Sequence, residues 1–82
     1  MPRAHYSFDP IRLGTYLRML RVQRSLTVGA VASLAGVSER TIRRLEQAAD
    51  HSPTLCILGD ICTALGEDPV NVLRNARRVD QK

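Results

Sequence analysis

The stretch TVGAVASLAGVSERTIRRLE, residues 27–46, decides how this chain folds. Thr27 is a helix N-cap, because its hydroxyl can accept from a backbone N–H of the first turn. Val28, Val31, Ala32 and Ala35 recur along one face of a short helix, at spacings of three and four. Gly29 inside that helix costs about 1 kcal/mol relative to Ala, so the helix depends on packing rather than propensity. Gly36 ends it, since glycine adopts φ > 0 without steric cost. Ser38 caps the next helix, expected over about 39–48. At about 100° per residue from Glu39, the positions Glu39, Arg43, Gln47, Arg40 and Arg44 span about 140°, while Ile42 and Leu45 fall near 300° and 240°. One face is charged and the opposite face is apolar.

The four positions Ala32, Gly36, Ile42 and Leu45 carry the geometry. Two helices that cross steeply on a short turn need a small side chain at closest approach, which Ala32 supplies. Gly36 provides the turn. Ile42 and Leu45 bury the second helix and leave its other face outward. This spacing is that of a helix-turn-helix.

The flanking sequence supplies three more helices. Asp9-Pro10 reads as an N-cap followed by proline at the first helical position. Leu13, Leu17 and Leu20 then line one face of a first helix over about 10–24, with Arg12, Arg18, Arg21 and Arg24 more exposed. Residues 48–53 lose the periodicity and end in Pro53, which predicts a loop. Thr54 caps a fourth helix whose buried stripe is Leu55, Leu58, Ile61, Cys62 and Leu65, and Gly66 stops it. Asp68-Pro69 repeats the earlier start signal and opens a fifth helix, with Val70 and Leu73 turned inward and Val72 an optional third. The fifth helix fades from Asn75 onward. The expected organisation is a flexible N-terminal arm over 1–9, a helical domain over 10–74 and a basic C-terminal tail over 75–82. Arg3, His5 and Tyr6 in the arm either reach a nucleic-acid groove or form a plain tail.

Composition narrows the functional classes. The chain has 82 residues, enough for one modest core, and its three aromatic residues, Tyr6, Phe8 and Tyr16, leave that core to aliphatic side chains. No apolar run approaches a membrane span, and the N-terminus lacks the order of a signal peptide; a cytoplasmic protein with no membrane partner is expected. Cys56 and Cys62 point about 120° apart on a helix and cannot pair with each other. Neither His5 nor His51 completes a metal spacing, so no metal or cofactor is expected. Residues 12–44 carry a net charge of +6, residues 45–73 a net of −5 and residues 74–82 a net of +3. A basic side suits a polyanion, and it equally suits a solvated surface. An enzyme is not expected. Asp50, His51 and Ser52 hold the letters of a catalytic triad, but consecutive residues do not point at one another in that geometry.

The run Leu17-Arg18-x-Leu20-Arg21, Leu26-Thr27, Val31-Ala32, Gly36-Val37-Ser38, Thr41-Ile42-x-Arg44-Leu45-Glu46, Pro53-Thr54-Leu55, Ile61, Ala64-Leu65-Gly66 and Leu73 resembles the Cro and phage-repressor type of helix-turn-helix, the XRE family. The resemblance spans about residues 10–74. It implies an all-α, five-helix, lambda-repressor-like fold, and a transcriptional regulator, expected to repress, that binds double-stranded DNA as a homodimer on a palindromic operator. It also implies that Arg21 pairs with Glu46 and lies close to a phosphate. The chain departs from the family at Val28, where a glutamine is common, at Gly29 and Ala30 in place of acids, and at the apolar Leu34. On this reading the base-reading candidates are Ser38, Glu39, Arg40, Arg43 and Arg44, with Glu39 alternatively a helix-dipole stabiliser. The phosphate candidates are Arg21, Thr27, Val28 through its amide, Gln47 and His51. The alternative is a protein-interaction module, such as an antitoxin or anti-repressor, with a protein partner engaged through the acidic fourth and fifth helices.

Overall fold

The computed structural model describes residues 9–50 and 53–77. Five α-helices follow in order: α1 (Pro10–Gln23), α2 (Val28–Ala35), α3 (Glu39–Glu46), α4 (Leu55–Ala64) and α5 (Pro69–Ala76). This is the all-α, five-helix architecture that the sequence leads one to expect. Every helix starts at its expected cap. Asp9 Oδ1 accepts from the Ile11 amide at 2.9 Å, and Thr27 Oγ1 accepts from the Ala30 amide at 3.0 Å. Ser38 and Thr54 accept from the Thr41 and Ile57 amides at 3.1 Å, and Asp68 from the Val70 amide at 3.0 Å. Each such bond satisfies a first-turn donor that the helix itself cannot, and contributes about 1 kcal/mol.

Four of the five helix ends share one device. After α2, Gly36 sits at φ 71°; the Val37 amide donates to the Ala32 carbonyl at 3.0 Å and the Gly36 amide to Ser33 at 3.4 Å. This pair of bonds closes the last turn on its own carbonyls. The same pattern ends α4 at Gly66. It also ends α1 and α3 without a glycine, at Ser25 with φ 56° and Ala48 with φ 60°. After α3 the Ala49 amide donates to the Arg44 carbonyl at 2.8 Å and the Ala48 amide to Leu45 at 3.2 Å. The third helix therefore stops at Glu46, two residues short of the expected 48.

The core is aliphatic. Leu13, Leu17 and Leu20 of α1 meet Val31 and Ala32 of α2, Ile42 and Leu45 of α3, and Leu58, Ile61 and Cys62 of α4, with Leu65, Val72 and Ala76 closing it. No polar or charged side chain is buried among the described residues. Helix α1 packs against α3 and α5, α2 against α3 and α4, and α4 against α5. Burial pushes the Cys62 thiol up to about 11, helped by the charges of Glu67 and Asp68. Cys62 is thus apolar filler, while Cys56 is exposed, and both are free thiols.

Gly14 sets the α1–α3 crossing. A Cβ at this position would overlap the Leu45 carbonyl oxygen and lie 2.9 Å from the Glu46 carbonyl oxygen. The two backbones approach this closely only because position 14 carries no side chain. The expected stripes need two corrections. Leu55 shares the angular face of Leu58 and Leu65 but stands at the first position of α4, beyond the reach of the core, and is 73% exposed. Val70 is 61% exposed, whereas Val72 is fully buried. These two valines lie about 160° apart on a helix, so α5 can bury only one of them. The Val72–Ala76 face turns inward, and α5 continues to a buried Ala76 rather than fading from Asn75.

Two stability predictions follow from the backbone. Gly14→Ala should lower stability by about 2 kcal/mol despite its better helix propensity, because backbone atoms cannot yield to the new methyl. A urea melt with stability at or above the parent value would refute the close approach. Ala48→Gly should raise stability by about 1 kcal/mol, since an L-residue at φ > 0 is strained. A lower urea midpoint would show that the α3 terminus does not hold this turn.

Candidate nucleic-acid interface

The carboxyl end of α1, the amino end of α2 and the length of α3 meet around Arg21. Arg21 Nε donates to Glu46 Oε2 at 2.7 Å and Nη2 donates to Glu46 Oε1 at 3.0 Å. Nη1 donates to the Leu26 carbonyl at 2.9 Å. The side chains are only 15% and 10% exposed, so the two-bond pair is largely shielded from water. The hydrogen bond to Glu46 raises the Arg21 pKa, against the opposing effect of desolvation. A guanidinium has five N–H donors, and three are used here. The remainder are oriented and available.

Arg21 and Glu46 share a groove of about 320 Å³ with Arg18, Val28, Arg43 and Gln47. Arg18 and Gln47 are exposed, and their side chains have no hydrogen-bond partner among the described residues. Val28 stands at the first position of α2. Its side chain packs partly against the core, and its amide belongs to the positive end of a short helix. Thr27 is committed to capping the Ala30 amide. The groove thus gathers three of the expected phosphate candidates, Arg21, Val28 and Gln47, and adds Arg18, expected only to be exposed; Thr27 precedes Val28 as the α2 cap and does not line it. The remaining candidate, His51, lies outside the described residues, as do the arm residues Arg3, His5 and Tyr6.

The expected base readers sort differently along α3. Arg40 is exposed and has no partner among the described residues. Arg43 Nη2 donates to Glu39 Oε1 at 2.8 Å. Ser38 is occupied at the helix start, accepting from the Thr41 amide at 3.1 Å and sharing a 2.9 Å hydrogen bond with the Thr41 hydroxyl. Arg44 turns toward the end of the helix and donates to the Ala49 carbonyl at 3.2 Å. Arg40 and Arg43 therefore form the outward edge, while Ser38 and Arg44 hold the two ends of α3. Ile42 and Leu45 anchor the opposite side in the core.

Residues outside this region show where sequence reasoning fell short. Arg24 is more than the merely exposed residue its position on the helix suggests: its Nη2 approaches Glu67 Oε1 at 3.5 Å. Asn71 Nδ2 donates to the same carboxylate at 2.7 Å. Burial first, and then the Glu67 charge, raise the Tyr16 pKa. Glu67 is thus engaged by its neighbours across α1 and α5. Gly14 is hardly legible in the sequence. Its only sequence signal is a small residue beside the Leu13–Leu17 stripe, and the carbonyls it meets are remote in sequence. Among the described residues, no group of three or more His, Cys, Asp or Glu is placed to hold a metal ion.

Arg21→Lys should reduce stability by about 1–2 kcal/mol, because an ammonium cannot reproduce the two-bond pair and the Leu26 contact together. An unchanged urea midpoint would show that the pair contributes only charge.

The fold recurs in solved structures. The restriction-modification controller protein C.AhdI from Aeromonas hydrophila is 24% identical with a TM-score of 0.73, over 77% of this chain and 94% of that one. The clp gene regulator ClgR from Corynebacterium glutamicum is 27% identical with a TM-score of 0.74, over 80% of this chain and 69% of that one. SinR, the master regulator for biofilm formation from Bacillus subtilis, was solved in complex with DNA; it is 18% identical with a TM-score of 0.71, over 74% of this chain and 97% of that one. Comparison with curated proteins returns no match. The family model for the helix-turn-helix domain matches residues 12–79, and the chain belongs to that family.

Proposed function

We propose that the chain binds double-stranded DNA sequence-specifically as a transcriptional regulator, with α3 in the major groove. One observation carries the reading: Arg40 and Arg43 stand exposed on α3 while Ile42 and Leu45 lock its other side into the core. A helix so presented enters the groove with its N-terminal part against base edges. Arg40 and Arg43 are the guanine readers in this proposal, each suited to two hydrogen bonds with O6 and N7. A backbone phosphate fits the groove shared by Arg18, Arg21 and Gln47, where the Val28 amide adds a donor. Thr27 and Ser38 position the two helix starts, and Arg44 braces the loop that follows α3. His51 is an additional phosphate candidate from that loop.

The proposal includes a homodimer on a palindromic operator, with half-sites about 10 bp apart. Repression then follows from occupancy of the operator. Val70, exposed beside Leu73 on α5, supports self-association. Among the described residues no helix is long and apolar enough to cross a membrane, and a cytoplasmic location belongs to the DNA-binding reading. A second reading, a module that binds a protein such as a toxin or repressor, is supported by Asp60 and Asp68, exposed on the α4–α5 side.

Binding of the purified chain to a selected duplex and to random duplex, titrated with salt, tests the proposal. Affinity should fall steeply with salt as phosphate contacts release counterions. Arg40→Ala should weaken the selected site by about 1–3 kcal/mol and change random-duplex affinity little. Equal loss on both duplexes would make Arg40 a phosphate contact. No binding to any duplex at low salt would favour the protein partner.

A further inference from the structure

Gly29 lies inside α2, where glycine costs helix stability, and it is not among the residues with positive φ. A Cβ at this position would lie 3.0 Å from Glu39 Oε2, 3.6 Å from Glu39 Cδ and 3.9 Å from Thr27 Oγ1. The Glu39 carboxylate thus occupies the space that any other side chain would begin to fill. Its second oxygen, Oε1, accepts from Arg43 Nη2 at 2.8 Å, one turn along α3. Arg43 and Glu39 are 55% and 52% exposed, so solvent screening leaves their ion pair a small stabiliser. Its geometric consequence is larger. One end of the Arg43 guanidinium is held by a carboxylate that is itself seated against the backbone of α2.

We propose that Glu39, seated against Gly29, is a positioning residue that aims Arg43 at a guanine edge and so sets specificity at one base pair of each half-site. This rests on the DNA-binding reading above. A free arginine side chain reaches several bases and phosphates. The guanidinium is planar by itself; held at Nη2, it points that plane and its remaining N–H groups in one direction, as a two-bond contact with guanine requires. The carboxylate also repels a phosphate from that position, which keeps Arg43 from settling on the backbone. Gly29→Ala separates the two roles of the junction. Alanine favours the helix, and the half-exposed Glu39 carboxylate can swing aside to admit the methyl, so the fold is kept while Arg43 loses its support.

Site selection from random duplex with the full chain defines the half-site. Equilibrium binding on that site and its single base-pair variants then compares the parent with G29A, E39A, E39Q, R43A and the E39A/R43A double variant. R43A should abolish preference at one base pair. E39A should lower preference at that same pair by about 5-fold, with the double variant no worse than R43A alone. E39Q keeps an acceptor at Oε1 and should lose less than E39A. G29A should lower the same preference with an equal or higher Tm. Loss in E39A at a different base pair would mean that Glu39 reads a base itself, and would overturn the proposal. Additive loss in the double variant, or full preference in E39A and G29A, would do the same. If the parent chain selects no site, the DNA-binding reading fails and this role fails with it; if it selects one and only the variant pattern differs, the positioning role alone is refuted.

Discussion

The backbone of α1 lies against the last turn of α3 at Gly14, where a side chain would collide with the Leu45 and Glu46 carbonyls. Two turns further along α1, Arg21 grips the Glu46 carboxylate through two hydrogen bonds. These contacts hold the carboxyl end of α3, and Ile42 and Leu45 hold its length. The helix has eight residues, and one so short is marginal in water by itself. Its direction is therefore imposed by what it packs on. Every property of the outward face follows from that constraint, because a helix fixed at its end and along one side can present only one set of side chains.

Division of labour within α3 follows. Residues at its two ends satisfy the backbone: Ser38 caps the start, and Arg44 reaches the Ala49 carbonyl past the end. Residues on the inner side fill the core. Only Arg40, Arg43 and Glu39 remain on the outer edge, and Glu39 is tied to Arg43. Arg21 links the edge to the scaffold, since the same guanidinium that secures Glu46 lines the groove beside Val28 and Gln47. A single residue thus couples the stability of the crossing to the electrostatics of the surface.

The parts of this fold that were legible beforehand are those governed by near neighbours in the chain. Asp9, Thr27, Ser38, Thr54 and Asp68 each bond an amide two or three residues on, so their roles follow from residue type and position. Gly36 likewise announces its turn. Ser25 and Ala48 adopt the same left-handed turn without a glycine to mark it, and α3 ends two residues earlier than periodicity suggests. The two possible faces of α5 show the limit most clearly. Leu73 packs against the core as expected, but Val70 and Val72 on either side of it are equally acceptable apolar partners, and nothing within the helix chooses between them.

By itself the sequence determined the number of helices, their starts, the turn at Gly36 and the pairing of a basic face with an apolar one on α3. These depend on hydrogen bonds and periodicities that span a few residues. Only the tertiary structure decided which α5 face is buried, that Leu55 lies beyond the core, that Gly14 admits the α3 backbone, and that Glu39 rests on Gly29 while holding Arg43. Each of these depends on where a second helix stands in space. That placement comes from the packing of the whole core, which no local spacing records.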